Sequence, residues 1–221
     1  MPYRTIKKSI FYEISKRTID IILSVILLVL FSPIILVIAI LIKLDSPGTV
    51  FAKTPPRVGK KGKLFHMYKF RSMIQNAHEL LRTNPEFKKL YDQYKLGSYK
   101  LENDPRVTRI GGFIRKHSLD EVPQFINVFN GDMSVVGPRA YYADELQEQQ
   151  KKYPDTIEAV KVVLSIRPGI TGQWQVSGRS KVNFDKRIKM DAEYVEKCSL
   201  LNDFIIILKT PWAMISGRDA L

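Results

Sequence analysis

Residues 21–42 read IILSVILLVLFSPIILVIAILI, twenty-two positions without a charge. An α-helix needs about 20 apolar residues to cross the hydrocarbon core of a bilayer, so this run makes the chain membrane-associated. It is too long for the apolar part of a cleavable signal peptide, and no small-residue cleavage site follows it. Two features argue against a plain span. Ser32-Pro33 sits in the middle of the run, and proline lacks an amide donor and kinks or breaks a helix. Both flanks are also basic. Arg4, Lys7, Lys8, Lys16 and Arg17 precede the run, and Lys43, Lys53, Arg57, Lys60, Lys61 and Lys63 follow it. The positive-inside rule places both flanks in the cytoplasm. A re-entrant helix that breaks at Ser32-Pro33 and leaves by the face it entered satisfies both features. A kinked single span satisfies the first alone.

Beyond Lys43 the text changes character. The chain divides into residues 1–43, a basic lead with the membrane helix, and residues 44–221, a cytosolic, membrane-associated domain. TVFAKT and KLFHMYKF read as two short strands joined by the basic hairpin PPRVGKKG. Ser72 to Tyr94 has a helical pattern interrupted at Asn84-Pro85. Residues 104–129 read as two short helices joined near Lys116–Leu119, and NGDMSVVGPR as turn, strand and turn. YADELQEQQKKY and TIEAVKVVLSI are helical, RPGITGQWQVSGRS is loop, and the tail from Asn183 is helical up to Thr210-Pro211. The fold class is α+β, mostly helical, with few short strands: an N-terminal re-entrant helix-break-helix and a small cytosolic domain.

The 221 residues carry 35 Lys and Arg against 22 Asp and Glu, a net charge of +13. Such a surplus calls for an anionic partner: nucleic acid, an anionic lipid surface or a phosphorylated substrate. The one cysteine, Cys198, excludes an intrachain disulfide. His66, His78 and His117 lack metal-ligand spacing.

Against that background the pair Asp120 and Glu121 in HSLDEVPQFINVF, residues 117–129, stands out. Ser118 and Glu121 have capping-box spacing, which would set both carboxylates in a first helical turn where the helix dipole favours them. The same place suits chemistry. An ionised aspartate can attack phosphorus without a separate base. Side chains of adjacent helical residues diverge by about 100°, so one carboxylate can attack while the other holds Mg²⁺ or orients the site. Arg106, Arg109 and Arg115 crowd the segment before the pair, and Arg139, Arg167 and Arg179 follow in loops. Arginine grips phosphate bidentately. Gly169 and Gly172 allow close backbone approach or positive φ. Trp174 suits either base stacking or the core.

Three blocks together, residues 16–73 ending in KLFHMYKFRSM, then DPRVTRIGGFIRKHSLDEVPQFINVFNGDMSVVGPRA, then RPGITGQWQVSGR, resemble the bacterial sugar transferases, the monotopic polyprenyl-phosphate phosphoglycosyl transferases. The resemblance runs from about Lys16 to Ala220. It implies transfer of a sugar-1-phosphate from a UDP-sugar to undecaprenyl phosphate, with UMP released, at the cytoplasmic face of the bacterial inner membrane. It also implies Mg²⁺ and a covalent phosphosugar–aspartate intermediate, the first step of surface polysaccharide synthesis. Asp120 matches the nucleophile and Glu121 its partner; which of them carries the metal stays open. Arg115 matches a phosphate-binding arginine, and Ser32-Pro33 the helix break. Pro138-Arg139-Ala140 departs from the family's Pro-Arg-Pro, which retains Arg139 for nucleotide contact but puts the loop's shape in question. Arg109 and Arg179 are further substrate-binding candidates. The family's large members carry a multi-helix membrane domain ahead of this unit, and the expectation here is the catalytic core with a short lead. The tail LLNDFIIILKTPWAMI either rests on the membrane interface or packs on the core.

Two other classes compete. A membrane-anchored nucleic-acid-binding protein fits the charge, but up to Lys63 the cations gather at the membrane flanks, which suits an anionic leaflet rather than nucleic acid. A non-catalytic scaffold of the same fold predicts that Asp120→Asn changes nothing in turnover. The expected partners are therefore the two substrates and membrane lipids, with no nucleic acid; a homodimer and the identity of the sugar stay open.

Overall fold

The computed structural model describes residues 8–96, 101, 103–177 and 182–215. It is mostly helical with few short strands. The first element, α1 (Ile10–Asp45), is 36 residues long, about 54 Å at 1.5 Å per residue. Ser9 starts it by accepting the Tyr12 N–H, and Glu13 in the first turn and Lys43 in the last complement the helix dipole. It is long and apolar enough to cross a membrane.

The expected break at Ser32-Pro33 does not interrupt α1. Proline at position 33 leaves the carbonyl of Val29 without its usual amide donor, and the Ser32 hydroxyl fills that place at 2.7 Å. The helix therefore stays continuous through the proline.

Both ends of α1 rest on the rest of the protein. Near the start, Arg17 donates to the carbonyls of Val128 and Phe129, and Asp20 accepts the Val135 N–H. Near the end, Ile38 and Ile42 pack with Phe70 and Ile114, and Asp45 accepts the Ile110 N–H. Between these seats, aliphatic side chains face outward.

Two short sheets follow. β1 (Arg57–Val58) pairs antiparallel with β2 (Leu64–Phe65) and with β4 (Tyr141–Tyr142). The hairpin thus lies later than the sequence suggested: β1 falls inside the expected loop, and Lys61 and Gly62, both at positive φ, make the turn. β3 (Ser134–Val136) pairs parallel with β5 (Gly169–Thr171). That pairing was missed, because RPGITG carries turn residues rather than an alternating pattern. Glycine is required there. A Cβ on Gly169 would lie 2.1 Å from the Gly137 nitrogen.

Around the sheets lie α2 (Ala77–Thr83), α3 (Lys88–Leu96), α4 (Arg109–Lys116), α5 (Gln124–Asn130), α6 (Ala143–Lys152), α7 (Ile157–Val163), α8 (Gln173–Ser177), α9 (Phe184–Lys197) and α10 (Leu200–Ile215). The tail is two helices rather than one, divided at Cys198-Ser199, and α10 continues through Pro211. The main core joins β3, α7, α9 and α10 through Val136, Val160, Val163, Ile188, Tyr194 and Ile206.

Candidate active site

Asp120 lies on a single 3-10 turn, Leu119–Glu121, between α4 and α5. The capping box is not formed. Ser118 sits in the left-handed region at φ 54°, and its hydroxyl caps nothing. The chain turns back so tightly after α4 that no regular helix begins at Ser118. The N-cap that does form belongs to Thr108, which accepts the Gly111 N–H and starts α4.

An extended segment holds this turn in place. The Phe70 N–H donates to the Asp120 carbonyl at 3.0 Å. On one side of Phe70, the Lys69 amine lies 2.7 Å from Glu121 Oε1 and 3.4 Å from Asp120 Oδ2. On the other side, the Arg71 guanidinium donates to the carbonyls of Ile42, Ser46 and Pro47 at the end of α1. Gly111 makes this packing possible, since a Cβ there would fall 1.9 Å from the Ser72 carbonyl oxygen.

Asp120 is buried, and Glu121 is the more open of the pair. Burial pushes the Asp120 carboxyl above its ordinary range, and Glu121 adds to that, while Lys69 and Arg115 oppose it. Lys69 itself is disfavoured as a cation by burial, but the two carboxylates outweigh this and hold its amine above the usual value. The result is a desolvated carboxylate in direct contact with a cation.

The turn opens into a cleft of about 300 Å³, lined by Lys69, Arg115, Asp120, Glu121 and Arg139 among others. Arg139 is fixed through its backbone. Its N–H donates to Asp191 Oδ2, which also accepts the Tyr141 hydroxyl. Its guanidinium lies 5.5 Å from the centre of the Trp174 ring. Burial disfavours the charge on Arg139, yet Glu145 and the neighbouring tyrosines raise it overall. Asp191, wholly enclosed, is pushed up to about 7 by burial.

Of the residues expected from the sequence, Asp120, Glu121, Arg115 and Arg139 come together here. Arg106 also lines the cleft but is held by Asp104. Arg109 does not line it: this residue opens α4 and is exposed. Pro138 is buried and is not among the residues that line the cleft; its carbonyl accepts the Gly169 N–H. Arg167 is turned away and donates to the Gly131 carbonyl. Arg179 lies outside the described residues. Trp174 is buried in the cleft wall. Lys69 was missed. Its signal was a lysine inside an apolar strand-like run, MYKF, where a cation is out of place unless it has a partner.

Among the described residues, no group of three or more His, Cys, Asp or Glu forms a metal cage. The donors present suit a different kind of site. Mg²⁺ is commonly held by one or two carboxylates together with substrate phosphate and water, and Asp120 and Glu121 fit that need.

A desolvated carboxylate, a neighbouring acid and converging cations suit a phosphate-bearing substrate, in a protein whose first helix is long and apolar enough to cross a membrane. The Bacterial sugar transferase profile matches residues 11–217. The chain is 42% identical over 199 residues to undecaprenyl-phosphate galactose phosphotransferase of Salmonella typhimurium, covering 88% of this chain and 39% of that protein. It is 40% identical over 210 residues to exopolysaccharide production protein ExoY of Rhizobium meliloti, covering 93% and 88% respectively. It is 37% identical over 200 residues to UDP-glucose:undecaprenyl-phosphate glucose-1-phosphate transferase of Escherichia coli, covering 88% and 39%. The chain therefore spans about two fifths of the length of the Salmonella and Escherichia proteins. It belongs to the bacterial sugar transferase family.

Proposed function

We propose that this protein transfers a sugar-1-phosphate from a UDP-sugar to undecaprenyl phosphate, with Asp120 as the nucleophile. The carrying observation is the contact of Lys69 with both Asp120 and Glu121 on the floor of a cationic cleft. In the first half-reaction an Asp120 carboxylate oxygen attacks the phosphorus that bears the sugar. The bond from that phosphorus to the bridging oxygen breaks, and UMP leaves with the electron pair. In the second, a phosphate oxygen of undecaprenyl phosphate attacks the same phosphorus and the Asp120 carboxylate departs. Both nucleophiles are anions, so neither step needs a general base. The two substrates need not meet, which suits a single cleft serving a soluble donor and a lipid acceptor.

Lys69 favours the ionised form of Asp120 against its burial and holds it in place. Arg115 and Arg139 offset the charge of the diphosphate. Asp120 and Glu121 would hold Mg²⁺, which would neutralise charge on the phosphate oxygens.

The same reading places the protein on one face of the cytoplasmic membrane. Arg17 and Ile42 are separated by up to about 38 Å of helix, yet both ends of α1 are seated on one domain. A spanning helix would send its ends to opposite sides of a core about 30 Å thick. A helix lying in one leaflet does not.

Purified protein with Mg²⁺, undecaprenyl phosphate and a panel of UDP-sugars tests the reaction. UMP release with one donor, lost by at least about 10³-fold in Asp120→Asn, is the expected result. Equal UMP release from Asp120→Asn would remove the nucleophile assignment. No UMP with any donor would leave a donor outside the panel, a missing partner or a scaffold role.

A further inference from the structure

We propose that the end of the cleft walled by His78, Tyr94 and Tyr142 holds the pyrimidine ring of the donor nucleotide, with His78 as the residue that reads it. This rests on the reaction proposed above.

The strongest charges on Asp120 and on His78 come from different residues. The charges acting most strongly on Asp120 are Lys69, Glu121 and Arg115. Those acting most strongly on His78 are Arg57, Arg106, Arg82 and Asp104. The two sets share no member. Two arginines link the groups: Arg57 acts on both Lys69 and His78, and Arg115 on both Asp120 and Asp104.

The far end is aromatic. The His78 ring meets the Tyr142 ring edge-on at 5.9 Å, and the Arg57 guanidinium lies 3.3 Å from the centre of that same ring. Tyr94 and Tyr142 are nearly buried, and Leu101 completes the wall. Burial, with Arg57, Arg106 and Arg82 nearby, pulls the imidazole down to about 4, so His78 is neutral at physiological pH. Among the described residues, neither of its ring nitrogens has a hydrogen-bond partner. A neutral imidazole offers one donor and one acceptor.

That inventory selects among the parts of the substrate. The diphosphate has to lie beside Asp120, whose oxygen attacks its phosphorus, and so it occupies the end where Lys69 and Arg115 stand. A hexose brings several hydroxyl donors and needs acceptors, but the acid at this end, Asp104, is engaged by Arg106 at 2.8 Å and 2.5 Å. A uracil ring is flat, stacks on aromatic side chains and presents two carbonyl acceptors and one N–H. Arginine donors and a neutral histidine match it.

The test compares wild type, His78→Phe and His78→Gln as full chains in detergent, each checked for native circular dichroism. UMP and CMP binding are measured by calorimetry. Transfer of preformed phosphosugar from Asp120 to undecaprenyl phosphate is measured separately. Wild type is expected to prefer UMP over CMP. His78→Phe is expected to weaken UMP by about fivefold to tenfold, the factor for one net hydrogen bond, and to narrow that preference. His78→Gln keeps most of the affinity, and the second half-reaction is unchanged in all three. Unaltered UMP binding in His78→Phe would overturn the inference. So would a changed preference among UDP-sugars at constant UMP affinity, which would give this end to the sugar. UMP binding without UMP release from any donor would sink the transfer reaction and leave the ring site standing.

Discussion

Between Val25 and Val37, α1 turns aliphatic side chains outward, and Val29 and Leu30 are 68% and 66% exposed. In and behind the cleft the protein does the reverse, withdrawing Arg57, Asp120 and Asp191 from water. Each region breaks the rule that apolar groups go in and charges stay out, and each breakage names what completes it. Exposed aliphatics at this density call for lipid as the missing solvent. Buried charges call for partners of opposite sign, and the cations that line the cleft leave room for an anionic substrate.

Three experiments can break or sharpen that contrast. The largest expected effect separates two residues of the same helix. Ile42 is 2% exposed against Phe70 and Ile114, so Ile42→Ala should cost about 2–5 kcal/mol of stability in a urea titration in detergent. Leu36, six residues earlier, is exposed; Leu36→Lys should leave that titration unchanged but weaken partition into vesicles by about 2.5–3.5 kcal/mol. Equal loss of fold stability in both would mean that the outward face is part of the core.

A smaller effect concerns Asp191. Its carboxyl titrates near 7 in the fold against about 4 when unfolded. Between those values the folded protein keeps a proton that the unfolded chain releases, so this group's contribution to stability falls as pH rises and is constant above the window. Asp191→Asn should therefore gain on wild type by roughly 2–4 kcal/mol from pH 4 to 7, at about 1.4 kcal/mol for each pH unit. A flat difference across that range would show that Asp191 is ionised throughout.

The smallest effect is a pair of neighbours. Gly112 has open space, with the nearest atom to an added Cβ 3.9 Å away on Val107. Gly112→Ala should raise stability by about 0.5–1 kcal/mol through helix propensity. Gly111→Ala should destabilise, because its Cβ would press on the Ser72 backbone.

Much of this was legible in the sequence because it is local. The uncharged run, the acidic pair and the order of the helices are all carried by neighbouring residues. The boundary between α4 and the turn at Asp120 could be read from a single stretch. What depended on distant partners was not legible. β3 and β5 pair across some thirty intervening residues, and the pattern of either strand alone is too short to announce it. Lys69 acquires its meaning from carboxylates about fifty positions away. The apparent capping box failed for the same reason: its spacing was right, but the packing of Ser72 on α4 and of Phe70 on Asp120 decided the backbone. At Pro33 the sequence showed the missing donor but not the hydroxyl that replaces it.

The three residues Lys69, Phe70 and Arg71 reach from the carboxylate to the last carbonyls of α1. On the membrane reading, that short tie works as a depth gauge. Wherever the lipid seats α1, the nucleophile stands at a set altitude above it, and a phosphate carried by a membrane-bound chain arrives at an altitude of its own. The acceptor is then chosen partly by height, before any contact reads its chemistry.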